Sequence, residues 1–452
     1  MCVDQADDRT NTLVTNSDLS FEWDRMGMKK RVVVVVLDGL RRDMISAANT
    51  PTLAAFAGMA TTFNAHRSAF PSATRVVSAC FATGCLPARH GLAGNSIALM
   101  EGGMLTPHDV GRPDFMDDLR RIRGYCLAVP TLAERLAKAG HEAMLFSNVS
   151  PGAARAQDPD GHGWVLHRAW SHGPGLRRLT GADAVEAVTH DAAGDAVLTQ
   201  AFLERALAGR EPALAVLWLG EPDSSQHAAP LGAPAGMAAI AAADARFAEV
   251  LAAVQARRDT GEDILLIACS DHGHQTVKAV VDIEAELLAA GLKRDSHDAH
   301  LVSVSNGTSA LVYLHPDHAT KAQAVLEFFA AQPWVGSVHA GDALAAIGHA
   351  PQGHLLCAVA MASDPAPNEF GVSGLAFAAK PAAGKPDRLG CGQHGGLGIA
   401  EQSPFLMVNG AGFATAAESI APTSPIDIAP TILWHLNLGA DGCDGRALQQ
   451  DS

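Results

Sequence analysis

The chain is poor in basic residues. Its 452 residues carry 33 lysines and arginines against 48 aspartates and glutamates, a formal net charge of −15. That deficit removes the cationic footprint that nucleic-acid duplexes and anionic membrane surfaces require of a partner. Long apolar runs are also missing. The longest, such as Ala213–Leu219 and Leu355–Ala362, are strand-sized, far short of the ~18–20 residues a membrane span needs. The eight cysteines (Cys2, Cys80, Cys85, Cys126, Cys269, Cys357, Cys391 and Cys443) are scattered without a CxxC pair. They exclude a zinc ribbon and a disulfide framework, and they point to reduced thiols in a cytoplasmic protein. The first thirty residues lack the cationic start and apolar run of a secretory leader, and are expected to form a polar N-terminal extension, 1–30.

What remains is 48% hydrophobic and 18% charged, the make-up of a globular chain. At about 100–200 residues per domain, the length suits two or three units or one large α/β domain with insertions. Short apolar strands are expected at Arg31–Leu37, Glu142–Phe146, Ala213–Leu219, Asp263–Ala268 and Pro404–Val408. Their hydrophobicity is continuous rather than alternating, as in parallel strands buried on both faces. Helical stretches lie between them at Thr131–Ala139, Asp195–Ala208 and Met237–Arg257. The alternation predicts a doubly wound, mostly parallel α/β sheet with helices on both faces. Residues 31–276 and 378–452 are expected to form that core and 277–377 an inserted cap, with 148–180 as loops over one sheet edge.

Ligands in such sheets bind beyond the carboxyl ends of the strands. Asp38-Gly39 follows the first strand, Gly220-Glu221-Pro222-Asp223-Ser224-Ser225-Gln226-His227 another, and Cys269-Ser270-Asp271-His272-Gly273-His274 a third. One such aspartate is an ordinary cap or turn residue. Three strand ends delivering carboxylates, two of them with imidazoles, form the donor set of a zinc or manganese site. Asp223 and His227, four apart, share one face of a helical turn. His394, within Gly392-Gln393-His394-Gly395-Gly396, offers a further imidazole. Thr74 precedes a helical stretch, where it is either an N-cap or a nucleophile at an anion-attracting helix terminus. Ser72 competes for both roles.

Together these residues resemble the alkaline phosphatase superfamily, most closely its type I phosphodiesterase/nucleotide pyrophosphatase branch and the related phosphonoacetate hydrolases. The run FPSATRVVSACFATGCLPARHGLAGN (70–95) is similar to the family's nucleophile helix, threonine-glycine turn, Pro-x-x-His-Gly and following Asn; EPDSSQH (221–227) and SDHG (270–273) match as well. The resemblance implies two divalent metal ions, zinc or alternatively manganese. One would be held by Asp223, His227 and His394, the other by Asp38, Asp271, His272 and the Thr74 oxygen. It implies Thr74 as nucleophile, Asn95 as a donor to the phosphate oxygens, and a covalent phosphothreonine intermediate. A hydroxyl coordinated to a divalent cation ionises at neutral pH, which fits that role. The expected substrate is a small-molecule phosphodiester or pyrophosphate.

Several readings compete. A sulfatase needs cysteine or serine at the nucleophile followed by proline and arginine, whereas Val76 and Ser78 stand at those offsets. Phosphonoacetate hydrolases bind the substrate carboxylate with lysines after a strand corresponding to Glu142–Phe146. Here Ser147–Gly152 has none, and Arg155 is the nearest cation. A C–P hydrolase, a phosphomonoesterase and a phosphomutase of the same superfamily remain alternatives. Arg75 would either meet a second phosphate or face solvent. His274 reads as a surface turn residue or a support for the ligands, and Trp164 and Trp170 as packing or as stacking platforms near the mouth.

Overall fold

A computed structural model describes residues 29–185 and 188–450. The expected N-terminal extension lies outside the described residues apart from Lys29 and Lys30. Five strands carry the architecture: β1 (Lys30–Leu37), β2 (Ala143–Ser147), β3 (Leu214–Leu219), β4 (Asp263–Cys269) and β5 (Leu406–Asn409). They sit inside a ten-stranded sheet in the order β5-β4-β1-β3-β2. β1 pairs in parallel with both β4 and β3, and β3 in parallel with β2. The valine run of β1 shows why the sheet is buried on both sides. Val32, Val34 and Val36 pack into one hydrophobic cluster, while Val33, Val35 and Leu37 pack into another. The first cluster takes Val76, Val77, Cys80 and Phe81 of helix α1 (Thr74–Thr83). The second takes Ile240, Phe247, Val250 and Val254, which face the sheet from the helix Pro234–Asp259. The structure is thus the doubly wound α/β fold expected.

Two expectations need correction. The strand expected at Pro404–Val408 exists as β5 but runs antiparallel to β4, with Cys269 opposite Leu406 and Leu266 opposite Asn409. The chain reaches it from the loop around His394, already at the carboxyl end of β4, so it can only run back along the sheet. The stretch 148–180 is not loop throughout. Pro151–Ala156 is a helix whose Ala153 and Ala154 join the core, and Trp164–His167, His172–Gly173 and Arg177–Arg178 are short edge strands. Gly152 makes this packing feasible, since a Cβ there would lie 1.7 Å from the Val110 carbonyl oxygen.

Between β4 and β5 the chain builds a four-stranded antiparallel sheet in the spatial order Leu301–Ser305, Ser309–Leu314, Leu355–Met361, Val335–Ala340. Val325 and Phe329 of one helix and Ile283 and Leu287 of another cover one face. The other face packs on Ile97, Leu99, Leu105, Phe115 and Leu119. A second small sheet pairs Gln275–Val281 in parallel with Ser373–Ala379 and antiparallel with Gly392–Gln393. That pairing brings the segment carrying His394 beside the carboxyl end of β4. No helix among the described residues is long and apolar enough to cross a membrane.

Candidate active site

The carboxyl ends of β1, β3 and β4 converge, and each delivers an aspartate. Asp38 follows β1 directly. Trp218 Nε1 donates to its Oδ2 at 2.9 Å, while Oδ1, fully buried, takes no hydrogen bond. Asp271 repeats the pattern: Gly39 N donates to Oδ1 at 3.0 Å, and buried Oδ2 takes no hydrogen bond. Gly39 itself has φ +72°, and a Cβ there would come 2.7 Å from His274 Nε2, so only glycine fits. Asp223 opens helix α2 (Asp223–Ala228), its backbone N donating to the Asp38 carbonyl at 3.0 Å.

The imidazoles are oriented by backbone. The Nδ1 atoms of His227, His272 and His394 donate to the carbonyls of Gly392 (2.9 Å), Gly273 (3.1 Å) and Ser72 (2.7 Å). With Nδ1 carrying the proton, each ring presents the Nε2 lone pair to the centre. His272 Nε2 lies 3.5 Å from Asp38 Oδ1 and 3.2 Å from Asp271 Oδ2. His227 and His394 place Nε2 at 3.4 and 3.5 Å from Asp223 Oδ1. The rings of His272 and His394 stack at 3.6 Å.

Asp38, Asp271 and His272 form one group whose ligand atoms lie within 4.8 Å of each other; Asp223, His272, His274 and His394 form a second. The structure therefore brings together Asp38, Asp271 and His272, and Asp223 with His394; His227 stands outside the second group, its Nε2 3.4 Å from Asp223 Oδ1, and its place there is taken by His274. That residue is no surface turn: it is completely buried, with Nε2 2.8 Å from Asp223 Oδ1. Its signal lay in the sequence, because His272 and His274 are two apart and the chain runs straight on into the strand Gln275–Val281. In an extended chain that spacing puts both on one face.

The donor set suits divalent cations. Burial pushes the Asp38 carboxyl well above its ordinary range, with the charges of Asp271 and Asp223 adding to the effect. Asp271 is likewise raised by burial. Burial also acts upward on Asp223, but His227, His274 and His394 outweigh it and hold that carboxyl well below its usual range. Buried carboxylate oxygens without a hydrogen-bond donor, facing imidazole lone pairs, are costly unless a cation lies between them.

Thr74 is the first residue of α1, and the residue before it is Ala73, so no side chain caps this helix. The N-cap alternative for Thr74 is thereby removed. Its hydroxyl instead lies 3.1 Å from His272 Nε2. Asn95 Oδ1 accepts from Arg75 N, the next amide of the helix, at 3.2 Å, which leaves its Nδ2 hydrogens for the cleft. Ser72 is not the nucleophile. Its buried hydroxyl donates towards Gly396 O (3.1 Å) and Glu401 Oε2 (3.2 Å) and accepts from Gly395 N (3.0 Å). Glu401, which sequence reasoning missed, also accepts from Thr308 Oγ1 (2.5 Å), Gly396 N (2.7 Å), Gln275 Nε2 (2.9 Å) and Gly398 N (3.1 Å). It ties the His394 loop to the segment leading into α1.

The remaining candidates settle away from the centre. Arg155 is buried and paired with Asp117 at 2.9 Å. Trp170 lies under Arg155 and Arg178, with guanidinium carbons 5.0 and 4.5 Å from its ring, and Trp164 under Arg177 and Arg210. Both tryptophans pack with arginines.

A family model described as type I phosphodiesterase/nucleotide pyrophosphatase matches residues 32–334. No curated protein sequence matches the chain. Among solved structures, an inactive variant of murine ectonucleotide pyrophosphatase/phosphodiesterase 5 in complex with AMP is similar at a TM-score of 0.66 and 18% identity, covering 93% of this chain and 99% of the other. The human counterpart gives 0.65 and 16%, over 93% and 99%. Phosphonoacetate hydrolase from Sinorhizobium meliloti 1021, in complex with phosphonoformate, gives 0.62 and 16%, over 91% and 96%.

Proposed function

The chain belongs to the type I phosphodiesterase/nucleotide pyrophosphatase family, and from that premise we propose that it cleaves a phosphodiester or pyrophosphate bond through a covalent intermediate on Thr74. It is a hydrolase of the phosphodiesterase/pyrophosphatase kind. One observation carries the finer reading: the Thr74 hydroxyl, released from capping, stands 3.1 Å from His272 Nε2 at the edge of the Asp38/Asp271/His272 group.

Asp38, Asp271 and His272 would hold one divalent cation and Asp223, His394, His227 and His274 would supply the second. Zinc fits the borderline nitrogen and oxygen donors, and manganese is the alternative. When bound, the cations lower the pKa of the nucleophile and neutralise charge on the phosphoryl oxygens. The protein does the rest. Thr74 Oγ, having lost its proton to water, forms the new bond to phosphorus. The bond from phosphorus to the leaving oxygen breaks, and its electron pair departs with that oxygen. The Asn95 Nδ2 hydrogens and the first amides of α1 are placed to bind the non-bridging oxygens. Water then attacks the phosphothreonine and returns the Thr74 hydroxyl.

The carboxylate anchor that a phosphonoacetate hydrolase would place after β2 is missing at that position, since 147–152 has no lysine and Arg155 is bound to Asp117. The described cysteines are free and mostly buried, which supports a reducing, cytoplasmic setting. Turnover of bis-p-nitrophenyl phosphate, p-nitrophenyl thymidine 5′-phosphate, p-nitrophenyl phosphate and phosphonoacetate tests the reading. The diesters should be cleaved fastest, activity should vanish with a chelator, and zinc or manganese should restore it. Faster cleavage of the monoester or of phosphonoacetate would overturn it.

A further inference from the structure

A cleft of about 300 Å³ opens beside the site, lined by Asn95, His227 and His394 on the catalytic side and by Arg75, Lys385 and Arg388 on the other. No carboxylate lines it among the described residues. In a chain of net charge −15, a wall with three cations and no acid runs against the composition. Two of these cations are held by one carboxylate, Asp109, which lines the neighbouring cavity. Arg75 NH1 lies 3.4 Å from Asp109 Oδ1, and Lys385 Nζ donates to Asp109 Oδ2 at 2.6 Å. Arg75 is fixed further by Ser150 Oγ at 3.1 Å and the Asn95 carbonyl at 3.0 Å. Among the described residues Arg388 meets no carboxylate; its NH1 donates to the backbone carbonyl of His227 at 2.9 Å. Asp109 therefore cancels one of three positive charges and leaves two, adjoining the residues that gather at the catalytic centre.

The cleft continues outward. It shares Ser96, Ser305 and Lys385 with a second cavity of about 870 Å³, whose walls include Leu105, Ile283, Val302 and Val304. The near part is small and cationic, and the far part is large, with apolar walls interrupted by charged residues, Asp109, Asp282, Glu284 and Asp298 among them.

We propose that the near cleft is a subsite for a second anionic group on the substrate, adjacent to the scissile phosphoryl, and that the organic remainder lies in the larger cavity. Two guanidinium groups and an ammonium around one small volume match an oxyanion with several acceptor oxygens, phosphoryl or carboxylate alike. This inference rests on the reading of the site as a phosphoryl-cleaving centre. It selects substrates whose leaving portion is charged over diesters of neutral alcohols.

Two substrates with the same thymidyl group separate these classes: thymidine 5′-triphosphate, which leaves as pyrophosphate, and p-nitrophenyl thymidine 5′-phosphate, which leaves as the phenol. In the doubly substituted enzyme Lys385→Gln/Arg388→Gln, the ratio of kcat/KM for the first over the second should fall about tenfold or more, mainly through KM. An unchanged ratio overturns the subsite. Equilibrium binding of methylenediphosphonate, phosphonoformate and methylphosphonate to the metal-loaded protein is independent of turnover. The first two should bind more tightly than the third in the unsubstituted protein and lose about tenfold in the substituted one. Preference for methylenediphosphonate identifies a phosphoryl partner, and preference for phosphonoformate a carboxylate. Equal binding of all three contradicts the proposal, even where neither thymidyl substrate is cleaved and the broader functional reading has failed. Should the double variant fold poorly, the unsubstituted protein still decides. Its affinity for the two ligands that carry a second anionic group must fall more steeply with ionic strength than that for methylphosphonate, and parallel dependences overturn the subsite.

Discussion

The Thr74 hydroxyl lies 3.1 Å from Nε2 of His272, 198 residues further along the chain, while the helix it opens has no side-chain cap. A threonine so placed does nothing for its own helix. Replacing it by alanine should therefore leave the thermal midpoint nearly unchanged, since no capping bond is lost. Steady-state turnover of bis-p-nitrophenyl phosphate should fall by about three orders of magnitude or more. Metal content by plasma mass spectrometry should stay close to the unsubstituted value. Near-normal turnover in Thr74→Ala would place the nucleophile elsewhere.

Asp38 and Asp271 each bury one carboxylate oxygen without a hydrogen bond, and burial holds both carboxyls above their ordinary range. Without cations this arrangement is strained, so Asp38→Asn should stabilise the metal-free protein by about 1–2 kcal/mol. The same change should remove most of the rise in melting temperature that zinc or manganese gives the unsubstituted protein. Melting curves with and without chelator check both halves. A destabilised metal-free variant that keeps its full metal response would contradict the ligand role.

Glu401 accepts five hydrogen bonds, from Ser72, Gln275, Thr308 and the amides of Gly396 and Gly398, and so fixes the loop that presents His394. Glu401→Ala leaves several buried donors unpaired, and should cost about 3 kcal/mol of stability. Burial holds this carboxyl above its usual range, so Glu401→Gln, which keeps the shape, should cost distinctly less. Denaturant midpoints of the two variants test the ranking; equal costs would show the hydrogen bonds to be dispensable.

Burial lowers His66, His90 and His167 to about 3 and His349 to about 4. In the unfolded chain these rings take up protons below pH ~6.5. Between ~6.5 and the folded values the unfolded state binds more protons, so stability is present near neutrality and lost as pH falls. Each ring contributes on the order of 1.4 kcal/mol per pH unit within that window. Asp38, Asp195, Glu221, Asp271 and Glu401, raised by burial, act in the opposite sense, but the lowered imidazoles, which also include His172, His190 and His435, outnumber them. Urea midpoints at pH 7, 6 and 5 should decline steadily, and a flat profile would contradict the buried, neutral state of these rings.

The five main strands were legible to within one or two residues, because runs such as Val32–Leu37 and Leu214–Leu219 have no polar residue to interrupt them. The side chains that gather around Asp38 and Asp223 were legible because the ends of a parallel sheet bring loops together whatever the loops contain. The direction of β5 was not, since it depends on where the chain enters the sheet and leaves no mark in local composition. The sequence favours a surface turn for His274 over a role beside the ligands, and is silent on Glu401, for a related reason. A histidine after Ser-Asp-His-Gly and a glutamate in Gly-Ile-Ala-Glu-Gln both look like exposed loop residues. Only the tertiary pairings with Asp223 and with Thr308, Gln275 and Ser72 bury them.

The most direct measurement is on the threonine itself. The metal-loaded enzyme is mixed with bis-p-nitrophenyl phosphate, quenched in acid within one turnover, digested and mapped by mass spectrometry. A p-nitrophenyl phosphoryl adduct on the peptide containing Thr74, formed in step with the burst of p-nitrophenol and lacking in Thr74→Ala, is the predicted result. A burst with the adduct on another residue, or one that persists unchanged in Thr74→Ala, would contradict the account.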